Sequence, residues 1–380
     1  MSRRPRILLA VDKFKGCLSG RDVAERLRSG LQRAAPNAEI RLHPVADGGE
    51  GFATELVRHG FAWRRVGVHD ALGRPTAAGF ATRGDTAVIE MAEAAGLAQI
   101  PLAKRRPLFA STTGLGELVV AAATLRPARI LIGAGGSATS DGGAGVLAAL
   151  GARLFTANGC VMTSFGPSAL REVGSVDLSA LAQWQGIAVE VATDVTSPLL
   201  GPAGAAAVFG PQKGANADEV LLIESALTRW ADVLEAATGA VGRGLPGAGA
   251  AGGLAFGLAL GMGARLVDGL HSFAELTDLR GAISWADVVV TGEGSLDAQT
   301  MSGKAPYGVL RIAQAAGKPC WVVAGRSDIS EGEARQLGYA GSRTVLEMAP
   351  SVRSSFQDAG RWLERIGERL ATELVAESEV

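Results

Sequence analysis

The chain has 380 residues, 37 basic and 38 acidic side chains for a net charge of −1, and is 47% hydrophobic and 20% charged. That composition supplies a large core and excludes a disordered segment, and the charge balance excludes a broad basic surface for nucleic acid or anionic membrane as the main function. Its 52 glycines are about twice the usual ~7% share and lack the collagen period, so the excess must act locally. At roughly 100 to 200 residues per domain, two domains are expected. Cys17, Cys160 and Cys320 are odd in number, far apart and without a C-x-x-C pair, which fits a reduced cytoplasm better than a disulfide framework. Arg3-Arg4 followed by Ile7–Val11 imitates the start of a signal peptide, but the apolar run ends at Asp12, too soon for an h-region. No apolar run nears the length of about 18 residues that spans a bilayer, so a soluble protein is expected.

In chain order, Ile7–Val11 reads as a buried parallel strand, and Ser19 with Asp22 resembles a helix cap. Val23, Leu27 and Leu31 then give a helical period that Pro36 stops before a second strand at Ile40–Val45. These strands deliver Asp12, Lys13 and Lys15, then Asp47 and Glu50, from their carboxyl ends, where open α/β sheets bind ligands. Residues 63–69, 76–81 and 86–91, separated by Gly73-Arg-Pro75 and Gly84-Asp85, suit an antiparallel meander. A helical segment at Gly116–Leu125, a strand at Arg129–Gly133 and an amphipathic helix at Asp218–Ala237 follow. The α/β alternation returns with a strand from Trp285 to Thr291 ending in Gly292-Glu-Gly294, a helix at Ala305–Ala316 and a strand at Cys320–Ala324. A strand near Thr344–Met348 and a helix from about Phe356 to Val375 close the series. Arg361, Arg365 and Arg369 alternate with Glu364, Glu368 and Glu373 there, as on a solvated helix face. The split alternation predicts an α/β domain with a second domain inserted into it, and the cleft between them is the expected ligand site.

Six clusters join glycine to charge or hydroxyl: Asp12-Lys-Phe-Lys-Gly16, Ala46-Asp-Gly-Gly-Glu-Gly51, Ser111-Thr-Thr-Gly-Leu-Gly-Glu117, Gly135-Gly-Ser-Ala-Thr-Ser-Asp-Gly-Gly143, Phe209-Gly-Pro-Gln-Lys-Gly214 and Thr291-Gly-Glu-Gly-Ser-Leu-Asp297. Each alone is explained as a turn. Together they suggest loops whose backbone N–H groups cradle phosphate. Lys15, Lys213 and Lys304 can meet charge on a transferring phosphoryl group, and Asp194, Glu293 and Asp297 offer hard oxygen ligands for magnesium. The inventory suits phosphoryl transfer. A Walker A loop fails, because Gly303-Lys304 is followed by Ala305 and preceded at the required position by Ala298. Gly133-Ala-Gly-Gly-Ser-Ala138 fits the dinucleotide spacing but lacks the later acidic residue, and Gly247-Ala-Gly-Ala-Ala-Gly252 lacks a preceding strand. His43, His59, His69 and His271 show no metal-ligand spacing.

In order and spacing, these motifs resemble the bacterial type-1 glycerate kinase family over nearly the whole chain: Asp12-Lys-Phe-Lys-Gly16, Ala46–Gly51, Gly135–Thr139 with Asp141–Gly143, Phe209–Ala215, and Thr291–Gly294 with Asp297 and Gly303-Lys304. Cys17, Ser140 and Ser197 stand where Ser, Asn and Asn are expected. The resemblance implies ATP- and Mg2+-dependent phosphorylation of D-glycerate, most simply at the 2-position, with 3-phosphorylation as the alternative product. It also implies a discontinuous flavodoxin-like domain of residues 1–66 and 286–380 around an inserted mixed α/β domain of residues 67–285. On this reading Asp47, Asp194 or Asp297 takes or positions the hydroxyl proton, Asp194 and Glu293 hold magnesium, and Lys15 and Lys213 neutralise phosphate or carboxylate. Gly135, Gly136, Ser137 and Thr139, with Thr113, Gly114 and Gly116, cradle the nucleotide, aided by Gly294 and Lys304. These roles are interchangeable among the named residues. Glycerate and ATP are the expected partners, without nucleic acid or membrane, and a homodimer stays open. An NAD-linked hydroxy-acid dehydrogenase and a noncatalytic sugar-acid sensor are the rival classes.

Overall fold

The computed structural model describes residues 4–297 and 304–378. Its strands are β1 (Arg6–Val11), β2 (Glu39–Leu42), β3 (Ala62–His69), β4 (Pro75–Arg83), β5 (Thr86–Glu90), β6 (Arg129–Gly133), β7 (Arg153–Thr156), β8 (Val173–Asp177), β9 (Ala188–Thr193), β10 (Arg265–Asp268), β11 (Val288–Leu296), β12 (Cys320–Ser327) and β13 (Gly341–Thr344). The chain divides into two compact units, residues 1–47 with 270–380 and residues 48–269. The division falls away from the expected limits at 66/67 and 285/286 for two reasons. β3 is hydrogen-bonded to β4 in the second unit's sheet, and the helix Leu279–Trp285 packs on β1 and on the helix Ala305–Ala315.

The first unit is a wholly parallel sheet in the order β13-β12-β11-β1-β2. Counted along this unit alone, that is the flavodoxin-like order 2-1-3-4-5, with the topological switch between β1 and β11. One face packs Ile7, Leu9, Val11, Val288, Val290 and Trp321 against two helices, Gly20–Ala34 and Ala359–Ser378. Ser19 caps the first of these, its Oγ accepting from the Asp22 N–H at 3.1 Å. The helices meet at glycines. A Cβ on Gly30 would lie 1.9 Å from the Glu364 carbonyl oxygen, and one on Gly367 2.4 Å from that of Leu27. Glu364 bridges Arg26 at 2.7 Å and Arg33 at 2.5 Å, and Arg33 also reaches Glu368 at 3.1 Å. Part of the charged face expected to be solvated is therefore a docking seam.

Two expectations change in this unit. β11 does not stop at Thr291 but runs on through Gly292, Glu293 and Gly294, paired with β12 as far as Leu296 opposite Ser327. Glycine permits the close approach: a Cβ on Gly292 would sit 2.1 Å from the Val323 carbonyl oxygen, and one on Gly325 2.6 Å from that of Gly294. At the other end, the strand expected at Thr344–Met348 ends at Thr344, whose hydroxyl accepts from the Glu347 N–H and starts a short helix, Val345–Met348.

The second unit has the order β10-β9-β6-β5-β4-β3. β5, β6, β9 and β10 are parallel, and β4 and β3 complete the antiparallel meander. β7 and β8 form a separate antiparallel pair. The helix Ala217–Thr238 starts from a capping box at Asn216 and buries Ile223, Leu227, Trp230 and Leu234, the spacing of a core-facing helix. The glycines between 242 and 263 acquire a structural reason. Ala251, Gly252 and Gly253 are consecutively left-handed, with φ of 53°, 69° and 87°, a conformation that L-residues resist. The helix beyond packs so tightly on the Gly142 turn that a Cβ on Gly257 would be 2.3 Å from the Gly142 carbonyl oxygen.

Gly30→Val forces side-chain atoms into the Glu364 backbone. It is expected to lower unfolding stability by at least about 2 kcal/mol in urea, and an unchanged midpoint would show that the helix pair is not closely packed.

Candidate active site

At the switch point of the first sheet, β1 delivers Asp12 and β11 delivers Glu293, while the segment after β2, held along β1 by the Val45 N–H to the Val11 carbonyl at 3.0 Å, leads to Asp47. Asp12 is buried, 8% exposed. Its Oδ1 accepts from the Lys13 N–H at 2.7 Å. Burial first, then the Asp47 charge, and more weakly Glu293, push its pKa up to about 8 against the opposing pull of Lys13. Across the same end of the sheet, Lys304 Nζ lies 3.4 Å from Asp297 and 3.9 Å from Glu293. It occupies the N-cap position of the helix Ala305–Ala315, where the helix dipole disfavours a cation and the two carboxylates compensate. Gly294 carries no side chain because the Lys13–Lys15 turn lies against it, with the Lys15 nitrogen 3.2 Å from where its Cβ would be. Lys15 itself is exposed. Gly303, the neighbour of Lys304 in its motif, lies outside the described residues.

In the second unit, glycine loops touch backbone to backbone at the carboxyl ends of β5, β6 and β9. The Gly135 N–H donates to the Gly48 carbonyl at 3.0 Å. A Cβ on Gly135 would lie 2.4 Å from Gly49 Cα, and one on Gly48 2.9 Å from the Ala192 carbonyl oxygen. Gly136 is left-handed, φ 74°, and exposed. Ser137 is buried, its Oγ 3.4 Å from the Thr139 carbonyl oxygen. The dinucleotide spacing at Gly133–Ala138 therefore has another cause: the room left by Gly135 is filled by the chain's own Gly49, and the next helix begins only at Ala144. Asp194 follows β9 and is half-buried.

A buried polar core fixes the next two loops to each other. Asp141, fully buried, accepts from the Thr112 N–H at 2.7 Å, the Thr112 hydroxyl at 2.8 Å and the N–H groups of Gly143 and Gly145, each at 3.2 Å. Lys213 is buried as well, donating to the Thr139 carbonyl and, at 3.5 Å, to Ser140 Oγ. Burial drives both toward neutrality, raising Asp141 and pushing Lys213 down to about 7. Lys213 thus points into the protein interior. Thr113 opens the helix Thr113–Ala123, its hydroxyl 2.8 Å from that of Ser111. Gly114 and Gly116 lie inside this helix and are buried. A Cβ on Gly114 would meet the His69 carbonyl at 1.7 Å, and one on Gly116 would meet Ala149 Cβ at 2.5 Å. Close packing therefore accounts for the absence of a side chain at both glycines.

The structure groups the candidates into separate sets. Asp47, Glu293, Gly294, Asp297, Lys304 and Lys15 gather at the end of the first sheet. Gly135, Gly136 and Ser137 gather with Gly48 and Gly49 in the second unit, Thr113, Thr139 and Lys213 join through the Asp141 core, and Asp194 follows β9. The residues whose weight the sequence conceals are Asp12, Glu90 and Asp141. Asp12 shows its position at a strand end but not its burial, and Glu90 and Asp141 act on residues far away in the chain. Among the described residues, no three His, Cys, Asp or Glu side chains are grouped to enclose a metal ion. Crowded carboxylates at Asp12 nevertheless fit magnesium, which uses one or two carboxylates and completes its shell with water and phosphate oxygens.

A family model described as the glycerate kinase family matches residues 7–375. Glycerate kinase from Bacillus subtilis (strain 168) is 40% identical over 376 residues, covering 97% of each chain. Glycerate 2-kinase from Escherichia coli (strain K12) is 37% identical over 374 residues, covering 97% of this chain and 98% of that one. A crystal structure from Salmonella typhimurium LT2, provisionally assigned as glycerate kinase 2, aligns over 100% of both chains at a TM-score of 0.82 and 36% identity. These relatives give no support to the dehydrogenase or sensor alternatives. Among the described residues, no helix is long and apolar enough to cross a membrane.

Asp12 keeps its proton in the folded chain up to about pH 8, whereas the unfolded chain releases it near the ordinary carboxylate value of about 4. The folded state holds the extra proton between those values, so this contribution to stability is lost as pH rises through the window. Asp12→Asn, which cannot ionise, is expected to gain melting temperature over the wild type by a margin that widens from pH 5 to pH 8. A margin independent of pH contradicts the burial and crowding of Asp12.

Proposed function

The chain belongs to the glycerate kinase family, and from that premise we propose that it transfers the γ-phosphoryl group of ATP to the 2-hydroxyl of D-glycerate, giving 2-phospho-D-glycerate and ADP. The observation that carries this reading is the similarity to a glycerate 2-kinase along 97% of the chain. The carboxylates collected at the carboxyl end of β1, with Glu293 beside it on β11, give it a chemical basis. An alcohol needs to lose its proton only late in a loose phosphoryl-transfer transition state, so a carboxylate is basic enough to take it. Asp47 fills that role, and Asp12, with its pKa pushed up to about 8, holds or returns a proton near working pH.

Lys15, exposed on the turn beside Gly294, and Lys304 are the cations that meet phosphate or the glycerate carboxylate. The buried Lys213 acts indirectly, holding the Thr139 carbonyl and so the Gly135–Thr139 loop. Magnesium, bound through Glu293 with Asp12 in the first unit or through Asp194 in the second, would neutralise negative charge on the phosphates. Gly136, exposed and left-handed, has the freest backbone of the nucleotide-cradle candidates. The cytoplasm is the natural compartment, since it holds the ATP and keeps Cys17, Cys160 and Cys320 as free thiols.

With ATP, magnesium and D-glycerate, the product's phosphorus resonance is expected to be a doublet, split by the single proton of carbon 2. A triplet from the methylene protons of carbon 3 would assign the 3-kinase reaction, and no phosphoglycerate would remove the reading. Alanine at Asp47 and at Asp194 is expected to lower kcat by about 100-fold or more with circular dichroism unchanged. Full activity in either variant removes that residue from the machinery.

A further inference from the structure

Glu90 belongs to none of the glycine motifs. It ends β5, is 3% exposed, and has no cationic partner among the described residues. One carboxylate oxygen accepts from the N–H groups of Ala53 at 2.6 Å and Thr54 at 3.3 Å, and the other accepts from the N–H of Gly51 at 2.9 Å. A buried carboxylate without a cation is costly unless hydrogen bonds satisfy it. Capping the short helix Phe52–Leu56 does not require one, since a Ser or Thr N-cap supplies its hydroxyl without a charge. Gly51 instead adopts φ 95° and brings no side chain.

The distant carboxylate adds a tie between β5 and the loop that leads out of Asp47. The residues after Glu90 hold a second loop. Gly96 bridges to Ser137, the Leu97 N–H donates to the Gly136 carbonyl at 2.8 Å, and the Ala138 N–H donates to the Ala95 carbonyl at 2.9 Å. The two loops bind each other through Gly135 and Gly48. Residues 90–97 therefore grip both, and Glu90 brings a charged side chain to that grip.

We propose that Glu90 is a positioning residue for phosphoryl transfer, its ionised carboxylate fixing the Gly48–Thr54 backbone and, through Gly48, the Gly135–Ala138 loop. The inference rests on the kinase reading. Two acceptor oxygens are present only while Glu90 is ionised, because protonation turns one of them into a donor facing other donors. Burial first, and repulsion from Glu93, raise its pKa above the ordinary glutamate value despite the three N–H groups. The tie is accordingly present at higher pH and lost as pH falls through that raised value.

The test compares wild type with Glu90→Gln, which keeps the shape, and Glu90→Asp, which keeps the charge but shortens the reach. In Glu90→Gln, melting temperature is expected to change by no more than about 5 °C, while kcat falls by about 100-fold. Wild-type kcat is expected to show an acid limb that the residual kcat of Glu90→Gln lacks, and amide exchange at Gly51, Ala53 and Thr54 should accelerate. Wild-type kcat in this variant, or a lowered kcat with the wild-type acid limb, overturns the proposal. Should Glu90→Gln fail to fold, Glu90→Asp is expected to lower kcat and retain the acid limb, and unaltered kcat there overturns it. If wild type phosphorylates no glycerate, the functional reading fails by itself, and unchanged amide exchange in Glu90→Gln then separately refutes the tie.

Discussion

Asp12 is buried beside the charges of Asp47 and Glu293, and the first unit is built so that this crowding persists. The parallel order puts the end of β1 beside Gly292, within β11, glycines at 292 and 294 let the strands and the Asp12–Lys15 turn close over one another, and a core of valine, leucine and tryptophan lies beneath. Mutual repulsion in a dry site has two ordinary releases, a bound proton or a bound cation. Burial first, and the Asp47 and Glu293 charges after it, favour the proton on Asp12. On the proposed reading, phosphate and its counter-ion would exchange that proton for the cation.

The second unit meets a different requirement with different means. On the proposed reading its loops approach an anion through backbone N–H groups and must be held without bulky side chains of their own. Here glycine backbones pack on each other at Gly48, Gly49 and Gly135, and the anchoring is delegated to buried side chains from elsewhere in the chain: Glu90, Asp141 and Lys213. Each of those polar groups is expensive to bury. Their hydrogen bonds end on loop backbone, which links the energetic cost to loop geometry rather than to the stability of the core.

Much of this was legible in the sequence. Period and turn chemistry give β1, the helix with Val23, Leu27 and Leu31, the meander and the split α/β alternation, because those features depend on neighbours in the chain. The carboxyl-end placement of Asp12 and Asp47 follows from the same pattern, whereas Glu293, expected just past a strand, lies inside β11. Contacts distant in sequence escape it. Gly114 and Gly116 look like a cradle, and the contacts that leave no room for a side chain there, with His69 and Ala149, are distant in sequence. Lys213 looks available to phosphate but turns inward to Thr139. β11 runs past its glycines because β12 pairs with it, a gain no local pattern displays. Glu90 sits in an ordinary apolar strand, and its role depends on three N–H groups nearly forty residues earlier.

The central claim is that crowded carboxylates at the end of the first sheet receive the positive charge that accompanies the nucleotide. It is tested most directly by following the Asp12 side-chain carbon by NMR as pH is varied, with and without magnesium and a non-hydrolysable ATP analogue. The predicted result is a titration midpoint near 8 alone that drops when magnesium and analogue are both present. An ordinary carboxylate midpoint in the empty protein, or a midpoint near 8 that the ligands leave unmoved, would contradict it.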